Sequence, residues 1–271
     1  MRQVKMNSKS IEKNIHGYPI RIFSFDCVDS TNRLLKNMAS EGAPEGSVII
    51  ADMQTEGHGR LGRDFFSPSG TGLYMSILLR PQLSAQQSLL ITTCAAVAAA
   101  EAIEKLSNKY AGIKWVNDIY IGGRKVCGIL TEGSIEGDCL KYAVLGVGIN
   151  LLHPDGGFPE DLRDSAGAVF SPGETTHTAE ELRSMAVEYF LDSFLKYYSK
   201  LEQKEYLDAY RSRSIVYGKE ITVIPPDTSP ILAVAGNICD DFSLLIRFND
   251  GSIQRLQAGE VSIKLEPSNI E

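Results

Sequence analysis

The sequence predicts an α/β (α+β) fold in two parts. Strand and helix patterns alternate as far as residue 108, hairpins replace them from 113 to 150, and short strands and turns from 215 to 266 suggest a small barrel. Residues 21–27 alternate apolar and polar side chains as a strand. Ser30 then stands where an N-cap belongs, ahead of a helix over 31–40 that the 42–46 turn ends. Residues 47–52 are a second strand, leading into a glycine-rich loop. Residues 72–80 form a strand stopped by Pro81, and Ser84-Ala-Gln-Gln87 offers a capping box to a helix reaching 108. The segments 113–115, 119–121, 124–134 and 139–150 are hairpin strands that turn at Gly122-Gly123 and Glu136-Gly137-Asp138. A polar, Gly/Pro-rich connector over 153–177 exceeds what a structural link needs, which predicts a mobile segment. Thr178-Ala-Glu-Glu181 caps a helix to 198, and a further helix covers about 203–214.

A chain of 271 residues has room for one large domain and one small one, and 43% hydrophobic content fills both cores. The net charge of −7 argues against general nucleic-acid affinity, which needs a basic footprint. Cys27, Cys94, Cys127, Cys139 and Cys239 are odd in number and lack metal-ligand spacing, so they are expected to be buried free thiols of a reducing cytoplasm. Residues 1–14 carry charge and amides throughout, without the apolar run of a signal peptide. The longest apolar stretch, 92–100, is too short and Ala-rich for a membrane span.

Between Gln54 and Arg63 the chain reads Gln-Thr-Glu-Gly-His-Gly-Arg-Leu-Gly-Arg. Glycines let backbone approach a ligand closely and arginines meet its negative charge, although a solvated connector or a nucleic-acid contact has the same composition. Lys125 follows a tight turn at the start of a strand, where a sheet can hold its ammonium in one place, and Gly128 removes a side chain where a ligand could lie. An exposed hairpin lysine is the alternative. Asn117-Asp118 interrupts a β run and is also a common turn pair. Ser30, Thr31 and Asn32 supply short donors and acceptors at a helix start, and Asn150 closes a strand. Trp115, Phe65 and Phe66 are expected to pack as apolar walls.

In chain order, Asp29-Ser30-Thr31-Asn32, the glycine loop, Lys114-Trp115-Val116-Asn117-Asp118, Lys125-Val126-Cys127-Gly128-Ile129-Leu130 and Gly146-Val147-Gly148-Ile149-Asn150 resemble the biotin-protein ligases. The resemblance runs from about Arg21 to the C-terminus. It implies a mixed-sheet catalytic domain over 1–214 and an SH3-like barrel over 215–271, with Gly259-Glu260-Val261-Ser262 as its last strand. It also implies activation of biotin by ATP and Mg2+ as biotinyl-5′-AMP. Transfer then goes to a lysine on the biotin carboxyl carrier domain of acetyl-CoA carboxylase or another biotin-dependent carboxylase, in the cytoplasm.

By the same resemblance Lys125 bridges the biotin carboxylate and the α-phosphate, with Arg60 and Asp118 completing the catalytic set. Asp118 would either bind magnesium or orient Lys125. Ser30, Thr31, Asn32, Gln54, Gly57, His58, Gly59, Arg60, Lys125 and Gly128 would bind biotin, and Arg63, Lys114, Asn117 and Asn150 would bind ATP. Phe65 stands where the family commonly has tryptophan, Val116 where it has proline, and His58 where it has arginine; valine suits a strand, whereas histidine weakens the loop's charge at neutral pH. With about twenty residues before the first strand, too few for the winged helix-turn-helix of regulatory members, a monofunctional type with no nucleic-acid or membrane partner is expected. A homodimer is allowed. Lipoate ligases and octanoyltransferases of the same superfamily are one alternative, opposed by the Ser-Thr-Asn and glycine-loop motifs. A non-catalytic biotin-sensing or nucleotide-sensing protein is another, opposed by Lys125, Asp118 and Arg60.

Overall fold

Two sheets organise the computed structural model, which describes residues 6–224, 230–257 and 260–263. The strands of the larger are β1 (Met6–Ile15), β2 (Tyr18–Val28), β3 (Ser47–Gln54), β4 (Gly72–Leu79), β5 (Gly112–Lys114), β6 (Asp118–Ile121), β7 (Arg124–Glu136) and β8 (Cys139–Asn150). They lie in the order β1-β2-β3-β4-β8-β7-β6-β5. The sheet is mixed because β2 pairs with β3 in parallel, the two being joined by helix α1 (Thr31–Ser40), while the hairpins beyond are antiparallel.

Each face of this sheet receives helices. Helix α1 starts where Ser30 Oγ accepts from the Arg33 N–H, and it buries Leu35 and Ala39 against Val28, Ile49, Leu78 and Val144. On the opposite face lie α2 (Leu89–Ser107) and α3 (Ala179–Tyr198). The 92–100 stretch is buried around most of its circumference in α2, which explains its lack of a polar face. The Ser84–Gln87 capping box forms, opening a 3-10 turn that precedes α2. Among the described residues no helix is long and apolar enough to cross a membrane.

The second sheet is antiparallel, with β9 (Glu220–Ile224), β10 (Ile231–Ile238), β11 (Leu244–Phe248), β12 (Ile253–Leu256) and β13 (Glu260–Ser262) in the order β12-β11-β10-β9-β13. Because the last strand returns to pair with the first, this is the strand order of a small SH3-like barrel. Its inward residues Ile221, Val223, Ala233, Ile246 and Val261 are continuous with the main core. Phe242 forms the joint: its carbonyl accepts from Trp115 Nε1 at 2.9 Å, Tyr206 stacks on its ring and Tyr210 meets it edge-on.

Several expectations need correction. Residues 6–15 form β1, a strand missed because its charged and amide side chains hide the alternation. The helix expected over 203–214 is a 3-10 turn at Leu201–Gln203 followed by the short α4 (Leu207–Ser212). Val116 sits in the turn between β5 and β6, buried, and not in a strand. The connector over 153–177 is bridged to the sheet at Lys125↔Ala166 and Leu152↔Phe170, with Lys109 Nζ bonded to Val169 O and Glu174. Cys94 and Cys127 are buried, with burial raising both thiol pKa values, but Cys139 is exposed. Residues 1–5 of the 1–14 segment, and residues 225–229, 258, Gly259 and 264–271 of the expected barrel domain, lie outside the described residues.

Candidate active site

A cavity of about 450 Å³ gathers the start of α1, the glycine loop, the β5–β6 turn, the middles of β7 and β8, the connector and β13. Of the residues singled out in the sequence, Ser30, Thr31, Asn32, Gln54, His58, Gly59, Arg60, Arg63, Lys114, Asn117, Asp118, Lys125, Gly128 and Asn150 line it. Gly57 stands behind the wall. A Cβ there would come within 2.9 Å of Gln54 Nε2 and 2.6 Å of Phe65 O, so this glycine makes room for the Gln54 amide.

The floor groups that face the cavity are neutral and polar, with a Glu132–Lys36 ion pair behind them. Thr31 donates from its N–H and its hydroxyl to Gln54 Oε1 at 2.9 and 3.1 Å, and Gln54 Nε2 donates to Ser67 Oγ at 3.0 Å. Ser76 Oγ lies 2.7 Å from Thr31 Oγ1 and 2.6 Å from Asn32 Oδ1. Asn32 Nδ2 donates to Glu132 Oε2 at 2.8 Å, and His58 Nε2 is 3.3 Å from the same oxygen. Lys36 pairs with the other carboxylate oxygen at 2.6 Å. Burial works to raise the Glu132 pKa, but Lys36 and Asn32, with His58 nearby, hold it below the ordinary glutamate range. Ser67, Ser76, Lys36 and Glu132 escaped the sequence reading, since each looks like an ordinary surface or strand residue until the sheet folds. Gly146, part of a motif quoted above but given no role there, makes room for the Asn32 amide: a Cβ would lie 2.3 Å from Asn32 Oδ1.

Above the floor runs a charged chain. Arg60, on the loop, donates to Asn117 Oδ1 at 3.0 Å; Asn117 Nδ2 donates to Asp118 Oδ1 at 3.1 Å and to Ile129 O at 2.8 Å; Lys125 Nζ is 2.8 Å from Asp118 Oδ1. Asp118 opens β6 opposite Gly128 of β7, so the sheet itself sets this geometry. Asp118 thereby holds Lys125 and the Asn117 amide meets Arg60, so two cations stand over one site. Among the described residues no group of three or more His, Cys, Asp or Glu side chains gathers to hold a metal. One carboxylate fits magnesium only as a partner to phosphate oxygens and water, the usual division of ligands for that ion.

The phenyl ring of Phe65 covers both Gly128 and Gly148. Cβ atoms there would come within 3.1 and 2.5 Å of the ring. Tyr74 meets it edge-on, and burial pushes the Tyr74 phenol up to about 12, keeping it a donor to Pro68 O. At the mouth, Asn150 Nδ2 donates to Gly167 O at 3.0 Å and Arg124 donates to Arg163 O, so the connector is pinned beside Lys125. Lys114 Nζ stands 5.8 Å from the Tyr120 ring centre, and Ile224, Val261, Ser262 and Ile263 bring the barrel to the rim. The whole arrangement offers neutral hydrogen-bonding groups at its base and two fixed cations above, which suits an anion carried on a neutral polar head.

Residues 24–150 match the biotin/lipoate A/B protein ligase family. The chain is 30% identical to the biotin--[acetyl-CoA-carboxylase] ligase of Paracoccus denitrificans over 243 residues, covering 86% of this chain and 96% of that protein. It is 40% identical over 141 residues to the bifunctional ligase/repressor BirA of Bacillus subtilis, a match spanning 52% of this chain and only 43% of that relative's length. In structure it is similar to a biotin protein ligase from Aquifex aeolicus in complex with biotin and ATP, with a TM-score of 0.72, 27% identity, and coverage of 90% of this chain and 99% of that one.

Proposed function

The chain belongs to the biotin/lipoate A/B protein ligase family, and from that membership we propose that it is an ATP-dependent biotin-protein ligase. The observation that carries this reading is one cavity in which a neutral polar floor adjoins the Arg60–Asn117–Asp118–Lys125 chain. Residues 1–214 are assigned the chemistry. Residues 215–271 are assigned to the SH3-like domain, of which Ile224, Val261, Ser262 and Ile263 reach the mouth.

The ureido head of biotin is neutral and needs donors and acceptors in fixed order, which Ser30, Thr31, Asn32 and Gln54 supply, with the glycine loop from Gly57 through His58 and Gly59 folded over it. Its carboxylate then meets Lys125 and Arg60. When ATP is present, Lys125 neutralises the repulsion between carboxylate and α-phosphate, and one carboxylate oxygen attacks phosphorus as pyrophosphate leaves. Arg63, Lys114, Asn117 and Asn150 hold the nucleotide. Asp118 orients Lys125, and it is the carboxylate that would share magnesium with the phosphates, where the ion offsets triphosphate charge. In the second step the neutral amine of a lysine on a biotin carboxyl carrier domain attacks the mixed anhydride carbonyl, forming an amide and releasing AMP. The covering loop and connector keep water from the anhydride in between. The free thiols favour a reducing cytoplasm as the setting.

Biotin-dependent exchange of labelled pyrophosphate into ATP tests the proposal. Exchange driven by lipoate in place of biotin would assign the lipoate branch, and biotin binding with no exchange would make the chain a sensor.

A further inference from the structure

The hydrogen bonds of the cavity floor form a path from Phe65, just past the glycine loop, to His58 on it. Ser67 Oγ donates to Phe65 O at 2.8 Å and accepts from Gln54, which accepts from Thr31; Ser76 links Thr31 to Asn32; Asn32 donates to Glu132, and Glu132 holds His58. Glu132 is the joint between floor and loop. Its Oε2 faces both the Asn32 amide and the His58 imidazole while its Oε1 faces Lys36, so three donors converge on one acceptor-only group. The other nitrogen of His58, Nδ1, is buried without a hydrogen-bond partner among the described residues. Glu132 therefore sets how the imidazole is held.

Resting on the ligase reading above, we infer that Glu132 is a positioning residue for the reaction: it fixes the Asn32 amide for the ureido head and, through His58, ties the glycine loop down over the bound intermediate. A carboxylate is required in this role. With Glu132 ionised, Asn32 must present its NH2 to Oε2 and its carbonyl to Ser76, and only one amide orientation remains. A glutamine would turn its NH2 either toward Lys36, leaving only a neutral carbonyl for Asn32 and His58, or toward Asn32 and His58 together, which share Oε2, and free both. The Asn32 amide could then flip, and the donor-acceptor order that reads a ureido group would be lost.

Pyrophosphate exchange and release of biotinyl-5′-AMP are measured for the native chain, E132Q, H58Q, the double variant and E136Q. Native exchange with biotin is scored first, because its absence overturns the ligase reading and not the role of Glu132. E132Q is expected to raise the KM for biotin on the order of tenfold with kcat within about twofold, the scale of one charge-assisted hydrogen bond made equally in ground and transition states. It should also speed intermediate release about fivefold, and the double variant should release no faster than E132Q, since both changes cut the same link. E136Q, on the same strand as Glu132, removes only an exposed ion pair with Lys141 and should stay within about twofold of native in both quantities. Native KM and release in E132Q, or release effects of E132Q and H58Q that multiply, overturn the inference. Should E132Q fold too poorly to assay, H58Q alone decides: accelerated release supports the link and native release overturns it.

Discussion

At the residue scale the site rests on charges placed by neighbours that are themselves placed by the sheet. Lys125 is two-thirds covered and bonded to Asp118, whose own side chain is 18% exposed, so the ammonium is aimed before any ligand arrives. Lys125→Ala should leave the fold intact and slow adenylate formation on the order of a hundredfold or more, the usual loss when a fixed cation is removed from a developing charge. Native pyrophosphate exchange in this variant would remove Lys125 from its role. Glu132 adds a pH dependence to stability. Its folded pKa lies below the ordinary value of 4.5, so its stabilisation is fully present above that value and is lost as pH falls through the depressed folded value. The melting temperature of the native chain should therefore fall more steeply than that of Glu132→Gln as pH drops below about 4.5. Parallel curves in that window would show that Lys36, Asn32 and His58 do not stabilise the ionised form.

Glycines in β7 and β8 do at the element scale what no single side chain could. The two strands pair Gly128 with Gly148 and Leu130 with Gly146, which strips the sheet face of side chains where Phe65 and the Asn32 amide lie. Gly146→Ala places a methyl 2.3 Å from Asn32 Oδ1, beside a helix start and a strand that have little room to move. It should raise the KM for biotin on the order of tenfold and destabilise the fold by about 1–3 kcal/mol, the cost of overpacking. Gly148→Ala meets only the far atoms of the Phe65 ring, which can swing, so its effect on melting should be the smaller of the two. Equal effects would mean that the Asn32 amide is less confined than the geometry states. Thermal melts and biotin titration of both variants make the comparison.

The whole molecule is held as one body through the joint at Phe242. Trp115 shares the β5–β6 turn with Asn117, so the indole that bonds the Phe242 carbonyl ties the barrel to the turn carrying the Arg60 and Asp118 partners. Core residues run without a break from α2 through Tyr206 and Tyr210 to Ile221, Val223 and Leu244. Calorimetry should accordingly give a single unfolding transition for the full chain, with Trp115→Phe lowering stability by about 1–3 kcal/mol because the buried Phe242 carbonyl loses its donor. Two resolved transitions would mean that the barrel folds independently and that the shared core contributes little.

The sequence by itself determined the local elements and the cast of the site. Ser30 as a cap, the Ser84 and Thr178 capping boxes and the hairpin turn at Gly122-Gly123 are short-range signals, and each formed where expected. Motif residues such as Lys125, Asp118 and Asn32 are picked out by the resemblance of their motifs to a family, because residue type alone leaves an exposed hairpin lysine, a turn pair and a helix start open. Strand β1 was not legible, since an edge strand rich in charge carries little apolar alternation, and neither was the break before α4. Only the tertiary structure brought Glu132 to Asn32, 100 positions away in sequence, and to His58, 74 positions away. It alone made Gly146 and Ser76 part of the floor and pinned the connector beside Lys125. The physical reason is range: caps and turns are fixed by bonds within a few residues, whereas the partners of a buried carboxylate depend on which strands pair and in what register.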